Sequence, residues 1–277
     1  MESFEVLCVT MHQTDFSKYT EMKLDSDVLF TNQADHWSED ETMIDGHKVR
    51  MITTATRGVG VNRNLGVLNA GAEICLLSDD DMAYRKGYQD IILREFDSHP
   101  EADIMIFNIG TTTPEYGRLP TVIHKFRRFH KYSRNPYGAP RIAFRLQSVK
   151  RANIHFSLLF GGGCPYKTGE DSIWLKDALR TGLKIYLSTE FIGDVSYENT
   201  SSFSENIAER FYDRGAMLAG GHSHLVLAKM FYYTFVRKYP GISTKEAFCM
   251  MYQGYRGFLF ERTYQMYMEQ SEKEDLR

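Results

Sequence analysis

The sequence has few cysteines, and their positions suggest neither a disulfide framework nor a zinc site. Cys8, Cys75, Cys164 and Cys249 lie far apart and form no C-x-x-C pair. Disulfide-bonded secreted domains carry more closely grouped cysteines, whereas scattered single cysteines are typical of reduced compartments. We therefore expect buried, reduced thiols and a cytoplasmic protein.

A signal peptide and a long hydrophobic run are also lacking. The first residues, Met-Glu-Ser-Phe-Glu, contain no basic segment followed by an apolar core. The longest apolar stretch near the carboxyl terminus, Leu225–Val236, contains Lys229 and is much shorter than the roughly 20 residues of a bilayer span. We expect a protein that is soluble, or peripheral at the inner face of a membrane.

Neither positive nor negative charge is in large excess. The chain of 277 residues has 33 Lys and Arg against 36 Asp and Glu, a net charge of −3. This balance provides no global attraction to nucleic acid, which we do not expect as a partner, and any attraction to anionic lipid would have to be local. The length suits one large domain, or a domain with an appendage.

The first hundred residues do contain alternating strand and helix patterns. Between short apolar runs, Val61, Leu65 and Leu68 recur at helical spacing and predict a helix that ends at Gly71, and residues 86–96 predict another. The alternation favours a parallel α/β sheet with crossover helices. The predicted strands are Phe4–Thr10, Asp27–Thr31, Val49–Thr53, Glu73–Leu77 and Ala102–Ile109.

The remainder of the chain changes from strands to helices. Strands are predicted over Arg141–Arg145, His155–Phe160 and Leu183–Ser188, and helices over Glu170–Thr181, Ile207–Leu218, Ser223–Lys238 and Thr244–Glu272. We therefore expect residues 1–200 to form the α/β domain and residues 201–277 to form a helical extension that packs on it.

Three consecutive carboxylates, Asp79, Asp80 and Asp81, follow the apolar run that ends at Leu77. Like charges so close together raise one another's pKa unless a cation lies among them. Hard cations such as Mg²⁺ and Mn²⁺ prefer oxygen ligands, and Mg²⁺ is commonly held by one or two carboxylates plus substrate phosphates. Ligands of open α/β sheets bind beyond the carboxyl ends of the strands. The triplet favours a metal and a phosphorylated ligand, with a solvated acidic turn as the alternative.

A second acidic pair, Glu170 and Asp171, begins a predicted helix after a glycine-rich loop. Thr168 precedes Asp171 by the spacing of a capping box, and acids in a first turn favour the helix dipole. Capping alone would explain the pair. The functional alternative is that one carboxylate is a general base, which must lie within hydrogen-bond reach of the proton it removes.

Four segments, as a set and in order, resemble the family 2 glycosyltransferases of GT-A fold. They are Arg57-Gly-Val-Gly-Val-Asn-Arg-Asn-Leu-Gly66, Ala72-Glu-Ile-Cys-Leu-Leu-Ser-Asp-Asp-Asp81, Phe160-Gly-Gly-Gly163 and Gly169-Glu-Asp-Ser-Ile-Trp-Leu-Lys-Asp-Ala-Leu-Arg-Thr-Gly-Leu-Lys-Ile-Tyr186. The resemblance implies an α/β fold of the GT-A (nucleotide-diphospho-sugar transferase) type, with a Rossmann-like mixed sheet and a helical carboxyl-terminal part.

The resemblance also implies roles for the acids. Asp79 and Asp81 match the D-x-D element, which holds a divalent metal, Mn²⁺ or Mg²⁺, on the diphosphate of a nucleotide sugar. Asp171, with Glu170 beside it, matches the catalytic acid pair, whose base deprotonates the acceptor hydroxyl. The implied reaction is an inverting displacement, in which a positioned base contributes roughly 10² to 10⁴ in rate and the cation stabilises the leaving diphosphate.

The resemblance implies further contacts with the donor. Arg57, Arg63 and Asn64 lie in the stretch that resembles the family's nucleotide-proximal loop and helix, where a helix amino terminus with arginine suits an anionic ligand. Arg63 could equally be a solvated helix residue. The complete set expected to bind the nucleotide sugar is Thr10, Asn32, Arg57, Arg63, Asn64, Asp79, Asp80, Gly162 and Gly163.

The sequence departs from the family pattern in two places. The loops beginning at Thr10 and Asn32 lack the usual Pro-Thr-Tyr-Asn opening, which leaves base recognition open. The stretch 192–198 also lacks the histidine that completes the metal site in many relatives. His222 and His224 are expected to be polar residues at a helix start rather than ligands.

Two segments suggest contact with a membrane or a lipid pyrophosphate. The stretch His124–Arg134 mixes cations with aromatics, and is either a solvated edge or a patch for an anionic surface. The aromatic helix Leu225–Tyr239 is either a packed terminal helix or one that lies on a membrane. We favour core packing for this helix.

The sequence therefore predicts a metal-dependent hexosyltransferase that uses a nucleoside diphosphate sugar, with UDP as the nucleotide by family analogy. The implied acceptor is a glycan or lipid-linked hydroxyl in bacterial surface polysaccharide synthesis. A sugar nucleotidyltransferase is a rival, although Thr10–Asp15 is not its usual glycine-rich loop. A non-catalytic nucleotide- or glycan-binding module is the rival from another class.

Overall fold

The computed structural model describes residues 2–113, 119–130, 133, 136–198, 206–221, 225–236 and 241–275, the last five by their backbone alone. The chain divides into two compact units. The first unit contains residues 1–156 and 174–200, and the second contains residues 157–173 and 201–277. The expected boundary after residue 200 coincides with one division, whereas residues 157–173 belong to the second unit.

A mixed sheet forms the centre of the first unit. Its strands are β1 (Phe4–Met11), β2 (Asp27–Gln33), β3 (Ser38–Ile44), β4 (His47–Thr54), β5 (Ile74–Asp79), β6 (Met82–Tyr84), β7 (Ile104–Thr111), β8 (Arg127–Phe129), β9 (Ile142–Arg145) and β10 (Ile185–Val195). The order is β3-β4-β2-β1-β5-β9-β7-β10-β6, with β8 paired to β10. Because β4, β2, β1 and β5 run parallel, their carboxyl ends meet at one edge.

Both faces of this sheet are covered, as the uninterrupted apolar runs of β1 and β5 predict. On β1, Val6 and Cys8 belong to one buried cluster and Leu7 to another, so successive side chains enter opposite faces. The first cluster includes Tyr88 of α3, and the second includes Trp174 of α5. The helices are α1 (Ser17–Glu21), α2 (Val59–Asn69), α3 (Tyr88–Ser98), α4 (Leu146–Ala152) and α5 (Glu170–Arg180), whose first four residues belong to the second unit.

Three strands were not predicted, and one predicted strand is wrong. β3, β6 and β8 are short or polar, and each forms an antiparallel pair that supplies its hydrogen bonds. Residues 155–160 form turns and a single isolated bridge from Phe160 to Tyr166 instead of a strand. Leu158 and Leu159 remain exposed, so the apolar character of this segment does not indicate a buried strand.

The helix α2 begins and ends close to its predicted bounds, but its buried face differs from the prediction. Leu68 is 72% exposed, whereas Asn62, Arg63 and Gly66 are buried. A Cβ on Gly66 would lie 3.6 Å from Cβ of Leu7, so a small residue lets the helix approach β1 closely. The face that packs is therefore the small and polar one, rather than the leucine stripe.

The second unit is helical. Its described helices are α6 (Ile207–Gly220), α7 (Val226–Phe231), a π-helical segment (Tyr232–Val236), α8 (Thr244–Leu259) and α9 (Tyr264–Asp275). The helices α6 and α8 cross at very short range, since a Cβ on Gly215 would lie 1.9 Å from the Met251 carbonyl oxygen and one on Gly254 would lie 1.8 Å from that of Tyr212. Only glycine fits at either position.

Two predictions for these helices are corrected. The single helix predicted over 244–272 is two helices, because Glu261 lies in the left-handed region at φ +56° between α8 and α9. The prediction that the helix 225–239 packs in the core is wrong for one face of the helix, where Leu227, Phe231 and Val236 are exposed. His222 and His224 lie outside the described residues, as do Lys131, Tyr132 and Arg134 of the basic stretch. No helix in the described part of the chain has the length and hydropathy to cross a membrane.

Candidate functional site

The parallel strands place polar residues at one edge of the first unit's sheet. In the register, Thr10 of β1 lies beside Asn32 of β2, Asn32 lies beside Thr53 of β4, and Val9 lies beside Asp79 of β5. Asp80 and Asp81 form the turn between β5 and β6. Several of the residues expected to bind the nucleotide sugar are thus brought to the carboxyl ends of neighbouring strands, where open α/β sheets bind ligands.

The three aspartates differ in their contacts. Asp79 accepts a hydrogen bond from Arg63 Nη2 at 2.9 Å, and Asp80 accepts one from Thr10 Oγ1 at 2.5 Å. Among the described residues, Asp81 Oδ1 is buried and has no hydrogen-bond partner. Burial, followed by the charges of Asp79 and Asp80, raises the pKa of Asp81 to about 7. Of the three carboxylates, Asp81 is therefore the one that most lacks a cation.

Arg63 is not the solvated helix residue that remained an alternative. It is 4% exposed, forms an ion pair with Asp79, and its guanidinium lies 5.4 Å from the ring centroid of Phe156. A helix residue on α2 thus places one positive charge beside three negative ones. The ion pair compensates the negative charge of Asp79, whereas Asp81 Oδ1 has no hydrogen-bond partner among the described residues.

Two amides expected to contact the donor make internal hydrogen bonds. Asn32 is fully buried, donates to the Gln13 carbonyl at 2.9 Å and accepts from the Gln13 N–H at 3.0 Å, so it fixes the loop after β1. Asn64 donates to the Phe156 carbonyl and accepts from the Phe156 N–H, at 2.9 and 2.7 Å. Both shape the site by holding backbone, and Arg57 is the exposed residue near the start of α2.

The remaining predicted residues belong to the second unit. Gly162 and Gly163 are exposed in a turn closed by the hydrogen bond from Cys164 N–H to the Gly161 carbonyl at 3.1 Å. No atom lies within 4 Å of a Cβ built on Gly162. Glu170 and Asp171 are half-buried in the first turn of α5. Their position agrees with both the capping and the general-base interpretations.

A buried acid in the second unit was missed by the sequence analysis. Asp213 of α6 is 2% exposed, and its Oδ2 accepts from the backbone N–H of Lys167 at 2.9 Å. Burial is the main cause that raises its pKa to about 7. One turn earlier, Glu209 pairs with Lys167 Nζ at 2.8 Å. The sequence contains no signal for it, because Glu209, Arg210 and Arg214 are charged residues of the same helix.

The same helix also touches the glycine that precedes α5. Gly169 has φ +115°, and a Cβ there would lie 2.6 Å from Cγ of Met217. Glu209, Asp213 and Met217 follow one another at four-residue spacing, so one face of α6 contacts the loop 167–169. This contact fixes the loop that leads directly into Glu170 and Asp171.

The arrangement in the first unit fits a divalent cation in one respect. A buried carboxylate oxygen without a partner at a strand end is what a hard cation binds. Within the described residues, however, no group of three His, Cys, Asp or Glu side chains is placed to hold a metal. Mg²⁺ is commonly held by one or two protein carboxylates and receives its other ligands from water and phosphate.

The mixed sheet, its order and its helices define the class of fold as the GT-A, Rossmann-like type of nucleotide-diphospho-sugar transferases. S. aureus TarS 1–349 in complex with UDP-GlcNAc matches with a TM-score of 0.58 at 15% identity, covering 93% of this chain and 73% of that one. The same protein in complex with UDP matches with a TM-score of 0.55 at 14% identity, covering 92% and 72%.

A third solved structure with a similar fold is the mannosyltransferase PcManGT from Pyrobaculum calidifontis in complex with GDP-Man and Mn²⁺. Its TM-score is 0.52 at 9% identity, covering 99% of this chain and 80% of that one. No protein-family model and no curated protein matches the chain. Similarity at these identities establishes the fold, and the function must be argued from the site.

Proposed function

We propose that the protein is an inverting, metal-dependent hexosyltransferase that moves a sugar from a nucleoside diphosphate sugar to an acceptor hydroxyl. The observation that carries this proposal is the strand-end triplet, in which Asp81 keeps a buried oxygen without a partner among the described residues. UDP is the proposed nucleotide. In support, TarS, which has a similar fold, was solved in complex with UDP-GlcNAc. The acceptor is a glycan or lipid-linked hydroxyl of a bacterial surface polysaccharide.

In this proposal the residues of the first unit bind the donor. Asp81 and Asp79 would hold Mn²⁺ or Mg²⁺, which would supply positive charge for the leaving diphosphate. Arg63 keeps one positive charge beside Asp79 at 2.9 Å. Thr10 orients Asp80 by its hydrogen bond. Mn²⁺ in the PcManGT complex supports the choice of a divalent ion.

The proposed base is Asp171, with Glu170 beside it. Both are half-buried in the first turn of α5, after Gly169, whose φ of +115° is a backbone conformation that favours glycine. The base removes the proton of the acceptor hydroxyl as its oxygen attacks the anomeric carbon, and the bond to the diphosphate breaks. Gly162 and Gly163, which carry no side chain, are proposed to lie against the donor.

A donor screen tests the binding half of the proposal. Thermal unfolding is measured with a panel of UDP, GDP and other nucleotide sugars, each with and without Mn²⁺. A ligand that binds only the native state raises the unfolding temperature by mass action. We expect one nucleotide class to stabilise the protein, and only with the metal. If no nucleotide has an effect when Mn²⁺ is present, the proposal is contradicted.

A matched pair of variants tests the catalytic half. Asp171→Asn should lower kcat by about 10² to 10⁴, which is the range of a positioned base, while the affinity for the donor stays within about threefold. Asp177→Asn lies on the same helix, where Asp177 pairs with Arg180 at 3.4 Å, and should transfer sugar at the wild-type rate. A wild-type rate in Asp171→Asn would exclude it as the base.

A further inference from the structure

The helix α7 and the π-helical segment after it carry an exposed face without charge. The side chains of Leu227, Phe231, Tyr232, Phe235 and Val236 are each at least 39% exposed. Leu227, Phe231 and Phe235 follow one another at four-residue spacing and share one side of the helix, with Tyr232 and Val236 next to them. Phe231 and Phe235 stack on each other with ring centroids 4.6 Å apart. A surface helix of a soluble domain normally directs polar residues outward, and this one directs aromatics and aliphatics.

The opposite side of the same segment is firmly packed. Met230 is fully buried and Thr234 is 2% exposed, and Thr234 Oγ1 donates to the Met230 carbonyl at 2.9 Å. Met230 belongs to a buried cluster with Phe211 and Met251. The helix is thus anchored by one apolar face and presents a second apolar face outward, so the exposure of Phe231 and Phe235 does not come from a loose helix.

The stretch of sequence that contains this face carries charge of one sign. In the stretch from residue 214 to residue 245 the sequence has no Asp or Glu, although the whole chain has 36. The same stretch contains five cations, Arg214, Lys229, Arg237, Lys238 and Lys245. The net charge of this stretch is positive in a chain whose net charge is −3, so any attraction to an anionic partner is local.

We propose that the outward face of Leu227, Phe231 and Phe235 docks on an anionic lipid surface, to which the positive charge of the same stretch of sequence adds attraction. Interfacial helices combine an apolar face with Lys and Arg at its borders. Each cation near an anionic membrane adds attraction that decays within a Debye length. Lys229 is half-buried, and burial lowers its pKa, as expected for a side chain whose stem lies along apolar surface.

A second copy of the chain is the other occupant to consider. In a two-fold dimer the same patch meets itself. Both copies would then bring the same positively charged stretch of sequence to the interface, and like charges across an interface are costly. The charge therefore favours a lipid surface over self-association, independently of the glycosyltransferase proposal.

Vesicle co-sedimentation of the full chain tests this docking face without donor or acceptor. The vesicles are phosphatidylcholine alone, or phosphatidylcholine with phosphatidylglycerol, at low and at high salt. The variant is Phe231→Gln with Phe235→Gln. The control is Leu68→Gln with Met43→Gln, which removes two apolar side chains of the first unit that are 72% and 63% exposed, against 54% for Phe231 and 45% for Phe235. Circular dichroism confirms that each variant is folded.

We expect the wild type and the control to bind the anionic vesicles, to release them at high salt because the charges are screened, and to bind neutral vesicles weakly. The Phe231/Phe235 variant should bind about tenfold or more weakly, since each phenylalanine loses its apolar burial. The proposal is overturned if the wild type stays in solution with anionic vesicles at low salt, or if variant and control lose binding equally. It is also overturned if light scattering shows that the wild type and the control are dimers and that the Phe231/Phe235 variant is a monomer.

Discussion

Two acids, one in each unit, have pKa values raised to about 7, chiefly by burial, yet their surroundings differ. Asp81 lies beside Asp79 and Asp80, and among the described residues its Oδ1 has no hydrogen-bond partner. Asp213 accepts the backbone N–H of Lys167 at 2.9 Å. A raised pKa therefore does not identify a ligand site by itself. The missing partner distinguishes an oxygen that suits a cation from one that holds a loop.

The ion pair beside the triplet provides the largest expected effect on stability. Arg63→Met should lower the free energy of unfolding by about 3 kcal/mol, because it breaks a largely buried pair and leaves Asp79 next to two further carboxylates. Arg85→Met is the control, since Arg85 is 45% exposed in its pair with Asp194 and such pairs contribute about 1 kcal/mol or less. Urea unfolding measures both. Equal losses would show that the triplet does not depend on Arg63.

The pH dependence of stability provides the next effect. The carboxyl of Asp213 has its pKa raised from 3.8 to about 7 on folding, so between pH 4 and 7 the folded state holds a proton that the unfolded state lacks. Stability therefore falls as pH rises through this window, by up to about 1.4 kcal/mol per pH unit for one proton. Asp213→Asn should flatten that slope while it keeps an acceptor for the Lys167 N–H.

Asp81 titrates in the same range, so the slope should be reduced rather than abolished in Asp213→Asn. Urea unfolding at several pH values from 4 to 8 measures this slope. The double variant Asp81→Asn, Asp213→Asn should lose the contributions of both carboxyls to the pH dependence of stability. An unchanged slope in Asp213→Asn would mean that this carboxyl ionises normally in the folded protein. Glu209, Lys167, Tyr166 and Tyr212 are the titratable groups that interact with Asp213.

The smallest effect separates the side chain of Lys167 from its backbone. Lys167 Nζ is 2.8 Å from Glu209, but the lysine side chain is 53% exposed. Lys167→Ala should therefore change the free energy of unfolding by less than about 1 kcal/mol. Asp213→Ala should cost about 1 to 3 kcal/mol, because a buried N–H loses its acceptor. If the lysine variant is the more destabilised, Asp213 is not the residue that holds the loop.

The sequence predicted the strands that are buried on both faces, because an apolar run is a sufficient signal for them. It did not predict β3, whose residues are largely polar, since that strand depends on its antiparallel pairing with β4. Over residues 155–160 the sequence predicted a strand that the structure does not have, because apolar residues form a strand only where another strand pairs with them.

The candidate site was predicted to a similar extent. The sequence indicated the position of Asp79–Asp81 at a strand end, and the structure supports it. It could not assign different partners to three adjacent aspartates, because Arg63 and Thr10 reach them only through the fold. The internal hydrogen bonds of Asn32 and Asn64, and the backbone contact of Asp213, likewise depend on chain segments that are distant in sequence.

The most direct test of the account is calorimetric titration of the wild type, Asp81→Asn and Asp213→Asn with UDP and Mn²⁺, at pH 6 and pH 8. The account predicts binding by the wild type only with Mn²⁺, tighter at pH 8 because Asp81 must lose its proton to hold the cation. Asp213→Asn should bind within about threefold of the wild type, and Asp81→Asn should lose about 100-fold or more. Metal-dependent binding of equal strength in Asp81→Asn and Asp213→Asn would contradict the account.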